Sequence, residues 1–519
     1  MSERSPRSDS RPPSVTRRRL LVTMGFGAAN LMVGRQLGAL PAAPAEPVLD
    51  PDTVALPGAA PAPDPTHVFD TVITGGRLVD PATGFDAIGD IGIDAGVITA
   101  FGGTGYLGAT VIDATARVVA PGFIDLLSAE PNGFGEWNKL ADGVTTNLAM
   151  HGVNNYAEAF FRTWTGQTPL HFGGAWHQQF IRAVDPEIAS APEDPLDDAQ
   201  LVAFERLTEK NLRAGFAGVC FSPEYAPGTS FEEMRRIAAT AQRLGHMSYF
   251  HLRHSEPGTG PEGVREAIQI ATDTGSAVHM EHLASTGGTE PEAMAEAITL
   301  IEAARASGLD ITACIYPYDF WATTLGSFRF AQGWGDRYGI TFSDLEVAGQ
   351  GRRLSADTFE QAQAENLLVA AHGTIPEATI ELALQTPWMM VGSDAILTRS
   401  LNNHPRSSGC FSRLLGQYVR ERQVLDLTSA LSKITIQPAR RFESMLPDLT
   451  RKGRLQRGAD ADIVVFDPLT IRDQATVAQP ELRSIGIDHV FVEGTHILRS
   501  GQLDETLRPG RPMLSVTIS

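Results

Sequence analysis

Four residues stand where short apolar runs stop and could do chemistry together. His151 follows TTNLAM, His251 follows MSYF, His282 follows AVHME, and Asp394 closes MMVGSD. A lone histidine at a strand end is more often a hydrogen-bonded core residue. Several at one rim, with a carboxylate beside them, favour a metal ion instead. Neutral imidazoles suit Zn²⁺, and three such ligands leave a position open for water. A metal of that kind lowers the pKa of water toward neutrality. A carboxylate must then take and return a proton, and Asp394 is placed for it, its alternative being a turn-forming Asp after Ser393.

Around these lie residues able to hold a substrate. In HLRH, Arg253 follows His251 by two, so on an extended strand both side chains point the same way. Its guanidinium would grip a substrate carboxylate through two parallel hydrogen bonds, or equally make a surface ion pair. Tyr316 opens the aromatic stretch YPYDFWATTL, which suits a pocket wall or the core. His254 lacks that alignment, and His279 falls on the opposite face from His282, so both are left out. Glu224, in FSPEYAPG, either reaches the same rim or caps a turn. The 3 cysteines, Cys220, Cys314 and Cys410, are read as buried small hydrophobes.

The elements that must position these groups alternate in kind. VVAPGFID, TTNLAMH, LHFGGAW, AGVCFS, MSYFHLR, AVHMEHL, DITACIYPY and MMVGSD read as strands. Between most of them run helix-like stretches such as FEEMRRIAATAQRLG and PEAMAEAITLIEAARASG. Strand–helix alternation on this scale is what a (β/α)8 barrel of the TIM type needs, with its site at the C-terminal strand ends. One further run, LLVAAH at 367–372, is either an inserted strand or a member of the barrel set. FDTVITGGRLVD, DIGIDAGVITAFG and TVIDATARVVAP near the start, and GADADIVVFDP and IDHVFVEGTHILRSG near the end, read as short strands and turns. They imply a small β-sandwich built from both chain ends. The expected organisation is 67–121 and 446–519 for the sandwich, 122–445 for the barrel and 46–66 for a linker.

Residues 1–45 read as an export signal. Arg17 and Arg18 precede Leu20 and Leu21 in the twin-arginine manner, a modest apolar run follows, and Ala43-Pro44-Ala45 offers a cleavage site. A periplasmic or extracellular protein is expected, with no stable membrane span once the signal is removed. The formal net charge of −19 argues against nucleic acid as a partner.

Taken together, GFID, GVTT at 143–146, HLR, the His282 strand, YPY, GSDA, HPRSSGCFSRLLGQYVRE and GRLQRGADADIVVFDPLTIRDQAT resemble the amidohydrolase superfamily. Within it they are most similar to the N-acyl-D-amino-acid deacylases, or D-aminoacylases. The resemblance covers nearly everything after about residue 68. It implies a metal-dependent barrel with a β-sandwich, His251 and His282 as ligands of strands five and six, Asp394 as the catalytic Asp of strand eight, and Arg253 as the substrate-carboxylate arginine. In that branch a Cys near the end of strand two completes the tight metal site. His151 stands here instead, one position out of register. The family's His-x-His pair after GFID mainly serves a second, weaker metal, and Leu127 and Ala129 replace it. The implied centre is one Zn²⁺ on His151, His251 and His282. The implied reaction is hydrolysis of a linear C–N amide in an N-acyl-D-amino acid or a related small carboxylate-bearing amide. A cyclic-amide hydrolase of the dihydroorotase or hydantoinase type is the enzymatic rival. A ligand-binding barrel without turnover is the rival of another class.

Overall fold

The computed structural model describes residues 54–254, 261–286, 289–398 and 405–516. The expected signal, and the linker up to residue 53, lie outside these. Eight parallel strands form one sheet: β1 Phe123–Asp125, β2 Val144–Val153, β3 His171–His177, β4 Gly218–Phe221, β5 Met247–Phe250, β6 Val278–Met280, β7 Ile311–Ile315 and β8 Met390–Val391. Each pairs with the next in chain order, and β7 pairs with β8. The ring closes just beyond β8. Ser128 bridges Ala395, the Asp394 N–H donates to the Leu127 carbonyl at 2.7 Å, and the Ala129 N–H donates to the Ala395 carbonyl at 3.0 Å.

Parallel strands buried on both faces read as near-continuous apolar runs, as these do. Ile124, Leu148, Ala175, Cys220, Tyr249, Cys314 and Met390, one from each strand except β6, share one buried cluster. The larger cluster lies between strands and helices. Helix Phe231–Arg243 shows why the outer layer forms. Ser230 caps it through the Glu233 N–H, and Met234, Ile237, Ala238 and Ala241 recur at helical spacing and are buried. The next strand then returns parallel to the last, which makes the βαβ unit.

The LLVAAH run belongs to an insertion between β7 and β8. Leu368–Ala371 pairs antiparallel with both Trp321–Thr324 and Leu345–Val347, in a small four-stranded sheet with Arg352–Arg353. Both chain ends build a separate nine-stranded sheet. Val118–Pro121 from the first end runs antiparallel to Ile463–Phe466 from the last, with Val119 opposite Val465. Among the described residues, no helix is long and apolar enough to cross a membrane.

Candidate metal centre

All three histidines meet at the C-terminal rim. One ring nitrogen from each of His151, His251 and His282 lies within 4.8 Å of the others. His151 sits inside the long strand β2, His251 is the first residue after β5, and His282 comes two residues after β6. The His251 N–H donates to the Phe221 carbonyl at 2.9 Å, which fixes where that ring leaves the barrel. His282 has φ +27° and Asp394 has φ +52°, both in the left-handed region. Non-glycine residues held there store local strain, and such residues gather at active sites.

Carboxylates orient two of the three rings. Glu281, fully buried, accepts from His151 Nδ1 at 2.6 Å. Glu224 accepts from His251 Nε2 at 2.6 Å, which leaves His251 Nδ1 facing His282 Nε2 at 2.9 Å. This is the carboxylate–histidine arrangement that fixes tautomer and direction for a metal ligand. Glu224 is itself anchored by Arg329 Nε at 2.9 Å and the Tyr338 hydroxyl at 2.9 Å, both from the β7–β8 insertion. The Arg329 guanidinium lies over the Trp321 ring at 4.5 Å.

Electrostatics favour neutral ligands at two positions. Burial holds the His251 imidazole well below its usual range, helped by the Arg329 charge, and burial with neighbouring His251 does the same to His282. Burial also opposes a charge on His151, but the charge of Glu281 and its hydrogen bond outweigh that and lift the group to about 9. The donor set suits a borderline metal such as zinc. Its atoms converge, two of the three rings are buried and His151 is half-buried, and His282 Nδ1 has no hydrogen-bond partner among the described residues.

Asp394 stands beside this cage with Oδ2 2.5 Å from Arg406 Nη2. The Arg406 guanidinium lies 4.0 Å over the Tyr316 ring, and Tyr316 in turn flanks His282 with ring centroids 6.3 Å apart. Arg253 is not brought to this group. Pairing in β5 ends at Phe250, so the two-residue alternation no longer carries from His251 to Arg253. Its guanidinium turns to Glu266 at 3.1 Å and to the carbonyls of Pro223 and Thr229. His279 bonds Thr312 Oγ1 at 2.8 Å inside the barrel, and His254 stacks edge-on to Tyr338 at 4.6 Å. All three cysteines are free and buried.

Sequence reasoning did not reach Glu281, Arg329 or Arg406. Glu281 adjoins His282, and Arg406 sits in the HPR motif, so both were open to notice. Arg329 lies in an insertion without periodic pattern, and nothing local marks it.

A profile of the amidohydrolase family matches residues 197–497. The N-acyl-D-glutamate deacylase of Alcaligenes xylosoxydans xylosoxydans is 32% identical over 483 residues, covering 85% of this chain and 96% of that protein. D-aminoacylase of the same organism is 27% identical over 470 residues, covering 83% and 94%. The solved N-acyl-D-glutamate deacylase of Bordetella bronchiseptica, complexed with zinc and a phosphonate mimic of the tetrahedral intermediate, matches with TM-score 0.74. Its identity is 26%, over 86% of this chain and 100% of that one. With a parallel barrel, a sheet from both chain ends and a histidine cage at the strand tips, this chain belongs to the amidohydrolase family, hydrolases of carbon–nitrogen bonds other than peptide bonds.

Proposed function

We propose that this chain deacylates N-acyl-D-amino acids, using one zinc ion held by His151, His251 and His282. The observation that carries this reading is the three-histidine cage, with ring nitrogens within 4.8 Å, set beside the Asp394–Arg406 pair. The substrate class is supported by the relatives named N-acyl-D-glutamate deacylase and N-acyl-D-aspartate deacylase, the second 27% identical over 85% of this chain. When bound, zinc supplies Lewis acidity, polarising the amide carbonyl and making a water molecule reactive near neutral pH.

The chain's own groups do the rest. Asp394 takes a proton from the attacking water at its carboxylate and returns it to the departing nitrogen, so the amide gives a carboxylic acid and an amine. Glu281 and Glu224 keep the His151 and His251 rings from rotating. Arg406, stacked on Tyr316 beside Asp394, meets the substrate carboxylate. Arg253, tied to Glu266, braces the loop after β5. Residues 1–45 carry the twin-arginine pattern, and we read the site of action as outside the cytoplasm; fusing this segment to a folded reporter and following its export tests that.

Asp394→Asn is expected to lower kcat by at least about 1000-fold while zinc per chain stays unchanged. A matched panel of N-acyl-D-amino acids, their L-isomers and cyclic amides reads the substrate class. Zinc bound with no turnover on any linear amide would remove the proposal.

A further inference from the structure

The tip of β1 holds a charged network that the proposed reaction does not use. Asp125, fully buried, ends the strand. Its Oδ2 accepts from Lys139 Nζ at 2.7 Å and from Ser393 Oγ at 2.5 Å, and its Oδ1 accepts from the Ser393 N–H at 3.0 Å. Lys139 comes from the buried helix Gly135–Ala141, its side chain only 8% exposed. Its ammonium also donates to Asn147 Oδ1 at 2.7 Å and to Ser128 Oγ, so three acceptors meet its three hydrogens. The residue after Ser393 is Asp394, held at φ +52° with its N–H on the Leu127 carbonyl.

We propose that Lys139 is a positioning residue for Asp394. Its buried ammonium fixes Asp125, Asp125 clamps Ser393 through both backbone and hydroxyl, and Ser393 holds the strained backbone on which Asp394 stands. This rests on the role given to Asp394 above. Without the ammonium, Asp125 is a buried unpaired carboxylate, which takes a proton or withdraws toward water. Either change loosens the clamp on Ser393. The joint is also tightly packed: a Cβ on Gly392 would lie 2.5 Å from Leu127 Cβ. The positive charge that meets Asp125 at this corner of the barrel is the Lys139 ammonium.

Lys139→Met keeps the apolar stem and removes the charge. In the zinc-loaded enzyme we expect kcat to fall about 100-fold, with zinc content unchanged. KM should stay within about threefold, and excess zinc should restore nothing. A purely packing role would lower thermal stability without that split. Turnover near the wild-type level at full zinc overturns the proposal. Should Lys139→Met fail to accumulate, Ser393→Ala deletes one hydroxyl of the clamp. A kcat loss of about tenfold at unchanged KM supports the chain of contacts, and an unchanged kcat overturns it. If the wild-type protein hydrolyses none of the amides, the functional reading fails on its own, and the crystal structure of Lys139→Met decides this one. Asp394 leaving the left-handed region supports it, whereas φ remaining near +52° overturns it.

Discussion

His151 holds a proton that a metal bound in the proposed site would displace. Its group titrates at about 9, whereas His251 and His282 are kept neutral by burial. Raised above the free value of 6.5, the His151–Glu281 pair adds stability to the metal-free protein that is full below pH 6.5. That contribution is lost as pH rises through 9. In the proposed site zinc would take the same imidazole in its neutral form, so affinity should climb with pH over that interval. Calorimetry at pH 7.5, in two buffers of different ionisation enthalpy, should show close to one proton released per zinc bound. Glu281→Gln removes the carboxylate that holds the proton and should cut that release sharply. An unchanged release in the variant would mean that some other group supplies the proton.

At the scale of elements, strand length decides what the barrel presents. β5 and β6 are short and stop before their histidines, so His251 and His282 stand on the turns above rather than in the ladder. Apolar runs ending in a polar residue made His251, His282 and Asp394 legible in the sequence, because a buried polar side chain at a strand end needs a partner. Arg253 was placed by a different argument, two-residue alternation, which lasts only as long as the pairing, and its guanidinium meets Glu266 instead. LLVAAH was ambiguous for a related reason: a short buried strand reads alike in a barrel and in an inserted sheet. Helix Gly135–Ala141 hid Lys139 and Glu136, because all seven of its residues are buried and it shows no polar face. Burial lifts the Glu136 carboxyl to about 8, against the opposing pull of Lys139 and Arg508. Folding therefore retains a proton that the unfolded chain has lost above pH 4.5, and this group's contribution to stability falls as pH rises from 4.5 to 8. Glu136→Gln should flatten that slope and raise Tm at pH 8. Parallel Tm–pH curves for both proteins would show that Glu136 is paired after all.

For the molecule as a whole, the barrel and the terminal sheet were readable from alternation and from strand-rich ends. The pairing and register inside the terminal sheet were not, because they match residues more than three hundred positions apart: Val118–Pro121 with Ile463–Phe466. The three thiols report on the completed fold. Burial pushes each well above the usual range, so the native protein should resist a thiol reagent at pH 8 and release all three only on denaturation. Rapid reaction of any one thiol in the native state would show the barrel to be open on that side.

The same long-range pairing has a consequence for biosynthesis. A ribosome delivers Pro121 long before Ile463, so the strand Val118–Pro121 spends most of translation with one edge bare. Bare edges recruit other strands, and nascent chains crowded on one messenger offer many of them. A messenger that ends before residue 463 yields a chain whose first sheet can never be completed. Such fragments are marked for chaperones or proteases by an unsatisfied row of peptide groups, whatever the state of the catalytic rim.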